Sequence, residues 1–139
     1  MAKKKEVIAV TALILDRRGM ILLQKRKDDL FLSADEKWEF PGGGVAKKES
    51  LEEALLRECD EEIGCKVKIL GKVPLIWKNV WEDKFGRRVN VQVHCFVCRI
   101  AGGKPISANK EVGDIKWFLK KEVRNLETLP GICEFVSCI

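Results

Sequence analysis

The chain is predicted to be an α/β protein, a mixed β-sheet with helices packed on its faces. Three observations carry that prediction: two β-rich runs open the chain, one strong helix and more strand-like runs follow, and the segment from Lys120 onward reads as helix again. With 139 residues, 46% hydrophobic and 34% charged, the composition is that of an ordinary globular protein. Residues 1–139 are therefore read as a single domain.

The elements follow in order. Residues 6–15 and 20–25 are aliphatic and β-branched and are separated by Asp16-Arg17-Arg18-Gly19, a turn sequence, so they are expected to pair as a hairpin. Residues 27–37 are polar and irregular, a loop, and Pro41-Gly42-Gly43-Gly44 reads as a second loop. Residues 49–63 contain helix formers throughout, no Pro or Gly, and Gly64 immediately after as a stop. Residues 65–81 are strand-like with a break at Pro74. In residues 88–100, Val89, Val91, Val93, Cys95 and Val97 alternate onto one face. After a turn at 101–105, residues 114–119 form a short strand. One or two short helices, broken near Pro130-Gly131, end the chain. There is no internal repeat and no low-complexity segment.

Several function classes are disfavoured. The longest apolar stretch, residues 7–15, falls far short of the roughly 20 residues that span a bilayer, so no membrane association is expected. The charged start, Met1-Ala2-Lys3-Lys4-Lys5-Glu6, leads into alternation rather than a signal-like apolar core, and a cytoplasmic location is expected. A formal charge of +5, without a basic stripe interleaved with aromatics, gives no reason to expect a stable nucleic-acid partner. Cys59, Cys65, Cys95, Cys98, Cys133 and Cys138 each sit where a small apolar residue would fit, and are read as free thiols. Cys95 and Cys98 form C-x-x-C inside a strand, where residues three apart face opposite ways, which is a poor arrangement for zinc.

The helix is unusual. At about 100° per residue, Glu58, Glu61 and Glu62 share an arc of about 100° that overlaps the apolar set Leu51, Ala54, Leu55, Cys59 and Ile63. Glu49, Glu53 and Asp60 take the opposite, solvated side. Carboxylates on the packed side need compensating positive charge. Arg57 supplies one charge for three acids, and an oxygen-rich set calls for a hard divalent cation before zinc. An arginine-linked ion-pair cluster at the edge of the core, or glutamates simply solvated at the helix margin, are the other readings. The three glycines just upstream let backbone come close to a ligand and let a carbonyl face a cation.

Gly43, five residues, Glu49, seven residues, then Arg57-Glu58-Cys59-Asp60-Glu61-Glu62-Ile63-Gly64-Cys65 resembles the Nudix box, G-x5-E-x7-R-E-U-x-E-E-x-G-U, where U is a bulky aliphatic. Every fixed letter matches, and the two U positions carry cysteine. The flanks agree: Trp38-Glu39-Phe40-Pro41-Gly42 and Ile115-Lys116-Trp117-Phe118 are similar to segments of MutT-like members. The resemblance implies a Nudix fold, an α/β/α sandwich around a mixed sheet. It also implies Mg²⁺-dependent hydrolysis, with Mn²⁺ as substitute, of a nucleoside diphosphate linked to X. For a MutT-like member that is a nucleoside triphosphate cleaved to monophosphate and pyrophosphate. Other family activities are dinucleoside polyphosphate or nucleotide-sugar hydrolysis, or nucleotide binding without turnover.

Residue by residue, the resemblance implies that Glu58, Glu61 and Glu62, with the carbonyl of Gly42 or Gly43, hold metal, and that Arg57 and Glu49 orient those acids. Glu111 matches a loop glutamate that binds metal or acts as base, and Glu58 is the other candidate base. Arg26 is in register with a substrate-contacting arginine, and Lys25, Lys47 and Lys48 add phosphate attraction. Phe40, Trp77, Trp81 and Trp117 are candidates for stacking on a base. Ile132 falls where oxidised-purine enzymes carry an asparagine, which leaves the base open. A monomer or a homodimer is expected.

Overall fold

The computed structural model describes residues 5–139; residues 1–4, which hold most of the charged start, lie outside them. The strands are β1 (Lys5–Ile14), β2 (Ile21–Arg26), β3 (Trp38–Glu39), β4 (Gly42–Gly44), β5 (Lys66–Glu82), β6 (Arg88–Gly102) and β7 (Val112–Phe118). The helices are α1 (Leu51–Ile63), α2 (Lys120–Val123) and α3 (Ile132–Val136).

The strands divide into a mixed four-stranded sheet, order β4-β1-β6-β5, and a three-stranded antiparallel sheet, order β3-β2-β7. In the larger sheet β1 runs parallel to β6 and antiparallel to β4. Alternation along β1 sends Val10, Ala12 and Ile14 to one face, where Ala54, Leu55, Cys59 and Ile63 of α1 cover them. Leu13, on the other face, packs with Val123 of α2 and with Ile132, Phe135 and Val136 of α3. The layering is therefore α/β/α.

Three expectations are corrected. The chain does reverse at residues 16–19, where Asp16 Oδ1 accepts the Arg18 and Met20 amides, but the hairpin stops at a single bridge, Leu15 to Ile21. Beyond it β1 and β2 leave for different sheets, because each finds longer partners there. The glycine loop is partly a strand: Gly42, Gly43 and Gly44 pair with Thr11, Val10 and Ala9. That approach needs glycine, since a Cβ on Gly42 would stand 2.0 Å from the Val10 carbonyl oxygen. Pro74 does not break β5, which runs on through it with a register shift between Lys72 and Ile76.

All six cysteines are free thiols. Cys95 packs with the α2/α3 side and Cys98 with α1, on opposite faces of β6, and burial pushes both thiols up to about 12. Cys138, by contrast, is exposed rather than set in an apolar position.

Candidate active site

Helix α1 is fixed at both ends. Ser50 Oγ accepts the Glu53 amide at 3.0 Å while Glu53 Oε1 accepts the Ser50 amide at 3.1 Å, and Gly64 closes the helix in the left-handed conformation. This sets Glu58 and Glu62, one turn apart, toward β4 and β2. Both line a cavity of about 440 Å³ together with Arg26, Glu39, the three glycines and Glu111.

Glu62 is 8% exposed. Its Oε1 accepts Gln24 Nε2 at 2.8 Å and the Gly42 amide at 3.0 Å. Burial, reinforced by the neighbouring Glu39 carboxylate, drives its pKa up to about 8 against those two hydrogen bonds. Glu39 is also held above the usual carboxylate range by burial, opposed by Arg26 at 3.3 Å. Glu58 is raised too, chiefly by burial and against its bond to Arg57.

Arg57 gathers the rest. It binds Glu49 through two parallel hydrogen bonds of 2.7 and 2.9 Å, reaches Glu58 at 3.0 Å and Glu61 at 3.2 Å, and donates to the Gly44 carbonyl at 3.0 Å. It thereby ties the glycine segment to the acidic helix. Glu61 is drawn to the outer side: its side chain is 53% exposed and it does not line the cavity. Glu111 sits on an exposed loop that reaches the cavity because Asn109 clamps it. Asn109 Nδ2 donates to the Glu61 carbonyl, and Asn109 Oδ1 accepts the Glu111 amide.

A second cavity of about 230 Å³ shares Arg26, Phe31, Glu39 and the glycines with the first. Its remaining wall is mainly apolar, from Val91, Val93, Trp77, Trp81, Leu129 and Ile132, with the Thr11 hydroxyl and the Trp77 indole N–H as polar atoms of lining residues that have no hydrogen-bond partner among the described residues. Arg26 stands on the boundary, paired with Asp28 at 2.7 Å and with Glu39, its guanidinium 4.9 Å over the Trp81 ring. Trp81 meets Phe31 edge to face at 5.4 Å, and Asp28 holds Phe31 in place by accepting its amide. Phe40 contributes wall but is only 1% exposed, and Trp117 packs on the α1 side, away from both cavities. Lys25 is taken up by Glu36 and the Trp38 ring; neither it nor Lys47 nor Lys48 lines either of these two cavities. Sequence reasoning missed Gln24 and Glu39 as site residues. A glutamine flanked by Leu22 and Leu23 on one side and Lys25 and Arg26 on the other was the one available signal.

The residues suit a hard divalent cation. The carboxylates and glycine carbonyls facing the cavity offer oxygens, Glu62 has no cationic partner among the described residues, and the cradle is made by glycine: a Cβ on Gly43 would lie 2.6 Å from the Glu58 carboxylate. Among the described residues no three acids yet share one ion-sized position, because Glu58 is committed to Arg57 and Glu62 to Gln24 and Gly42.

An α/β/α scaffold with a glycine strand, an acidic helix and a bidentate arginine–glutamate brace defines a Nudix-type domain. The chain belongs to that family: the NUDIX domain description matches residues 5–132. It is similar to a Bacillus subtilis (strain 168) protein provisionally named an 8-oxo-dGTP diphosphatase, 31% identical over 105 residues that cover 76% of this chain and 61% of that one. It is also similar to the nucleoside triphosphatase NudI of Enterobacter sp. (strain 638), 26% identical over 119 residues, covering 82% and 83%. The crystal structure of a MutT NUDIX hydrolase from Burkholderia pseudomallei superposes with a TM-score of 0.76 at 22% identity, covering 98% of this chain and 99% of that one.

Proposed function

We propose that the protein is a Mg²⁺-dependent, MutT-like hydrolase that cleaves a nucleoside triphosphate to the monophosphate and pyrophosphate, with residues 1–139 acting as one Nudix domain. The observation that carries this reading is the shared wall between the acid-lined and apolar cavities, which suits a ligand with a polyphosphate at one end and a base at the other. The names of the Bacillus and Enterobacter relatives support a nucleotide substrate.

Glu58, Glu62 and the glycine carbonyls would hold the cation, with Glu61 and Glu111 as outer members of the set. When bound, Mg²⁺ or Mn²⁺ supplies charge neutralisation and acidifies the attacking water. The protein's own part is orientation and proton transfer. Arg57 and Glu49 keep Glu58 beside Gly43. A P–O anhydride bond breaks as water's oxygen bonds to phosphorus, pyrophosphate leaves, and the proton passes to Glu58 or Glu111, both of which line the cavity. Arg26 faces the substrate at the boundary, and Trp81 with Phe31 receives the base in a cavity that Thr11, Trp77 and Ile132 also line. No helix among the described residues is long and apolar enough to cross a membrane. A cytoplasmic monomer or homodimer completes the reading.

The test is a nucleotide panel with Mg²⁺ in ¹⁸O-labelled water, for the parent and Glu62→Gln. Label in one product, with pyrophosphate released and activity lost in the variant, is expected; equal activity in both proteins would remove the acid assignment.

A further inference from the structure

Gln24 is wholly buried on β2, next to Leu22 and Leu23, where an apolar side chain would pack without any polar demand. Its amide has two N–H donors, and both are used: one goes to Glu39 Oε2 at 3.0 Å, the other to Glu62 Oε1 at 2.8 Å. That fixes the amide's orientation and leaves Gln24 Oε1 buried without a partner. An unsatisfied oxygen kept in a core shows that the two N–H bonds outweigh it.

The two carboxylates are not equivalent. Glu39, the cross-strand partner of Gln24, has Oε2 on Gln24 and Oε1 on Arg26, so both its oxygens are engaged. On Glu62, Gln24 and the Gly42 amide converge on Oε1 alone, and Oε2 has no hydrogen-bond partner among the described residues, at a cavity Glu62 lines. Once both are ionised, as cation binding at Glu62 requires, two like charges brought close in a desolvated setting would turn apart.

We propose that Gln24 is a positioning residue. It joins the small sheet to α1, holds Glu62 against the repulsion of Glu39, and leaves Glu62 Oε2 aimed into the cavity for the cation. Glu39 contributes charge to the site without serving as a ligand. The inference rests on the metal-dependent reading of the cavity.

The test is Mn²⁺ binding to the full chain, followed by the electron paramagnetic resonance signal of free Mn²⁺, for the parent, Gln24→Met and Gln24→Asn. Met keeps the length and removes the donors; Asn keeps an amide too short to reach both carboxylates. Each variant is expected to bind Mn²⁺ about 10- to 100-fold more weakly, the range for outer partners of metal ligands, with kcat reduced and the nucleotide KM unchanged. Parent-like Mn²⁺ affinity in a variant that melts cooperatively overturns the proposal. If Gln24→Met does not fold, Gln24→Asn decides. If the parent itself takes up no Mn²⁺, the metal-dependent function fails along with this inference; if the parent binds and the variants bind equally, only the role of Gln24 fails.

Discussion

Arg57 and Glu49 are joined by two parallel hydrogen bonds, Nε to Oε2 at 2.7 Å and Nη2 to Oε1 at 2.9 Å, across the start of α1. The same guanidinium holds Glu58, Glu61 and the Gly44 carbonyl. A single planar fork thus sets the distance between the glycine strand and the acidic helix, and lysine, a point charge, cannot reproduce it.

Arg57→Lys is expected to lower kcat by about 10- to 100-fold with little change in nucleotide KM, read by steady-state kinetics. The pair also makes a pH prediction. Arg57, helped by the Ala46 amide, depresses the Glu49 pKa from 4.5 to about 2. A depressed carboxylate contributes stability that is complete above the unfolded value and is lost as pH falls through the folded one. The Glu49 contribution to the melting-temperature gap between the parent and Arg57→Ala should therefore shrink as pH falls from 4.5 toward 2.

Gly42 and Gly43 should fail differently when each becomes alanine. At Gly42 the added Cβ meets the Val10 backbone at 2.0 Å, which only a shift of β4 or β1 can relieve. Gly42→Ala should cost more than ~2 kcal/mol of stability in urea unfolding. At Gly43 the obstacle is the movable end of Glu58. Gly43→Ala should stay close to the parent in stability while losing most of its Mg²⁺-dependent turnover.

Glu62 gives the opposite pH sign from Glu49. With its folded pKa raised to about 8 from 4.5, the metal-free protein keeps a proton that the unfolded chain releases. Stability is complete below pH 4.5 and falls as pH rises toward 8, by an amount of order a few kcal/mol. Glu62→Gln should flatten that decline in thermal melts without metal. Mg²⁺ added at pH 8 should raise the melting temperature of the parent and leave that of the variant unmoved.

Trp81 carries both Arg26 and Phe31 at the boundary of the two cavities. Trp81→Ala is expected to raise the nucleotide KM about tenfold, the equivalent of about 1.4 kcal/mol, with a smaller effect on kcat. An unchanged KM would place the base elsewhere.

Much of this was legible in the sequence because its signals are local. The Gly64 stop and the Glu58/Glu62 spacing lie in or beside α1, and strand alternation alone separates Cys95 from Cys98, whereas the expected helix start at residue 49 gives way to Leu51 because Ser50 caps the helix. What depended on distant partners was not legible. The β1–β2 turn is plain, yet the parallel pairing with β6 that carries β1 away is set by residues far along the chain. The glycine run reads as a loop until β1 lies beside it. Angular arithmetic groups Glu61 with Glu58 and Glu62, but Arg57 draws it outward. Gln24 and Glu39 become site residues only when the small sheet meets α1.

The most direct measurement is the anomalous diffraction of Mn²⁺ in crystals of the protein with a non-hydrolysable nucleoside triphosphate. A Mn²⁺ peak in the acid-lined cavity, bound by Glu58 and Glu62 and touching the polyphosphate, is the predicted result. A polyphosphate seated in that cavity with no Mn²⁺ between it and these carboxylates would contradict the central claim.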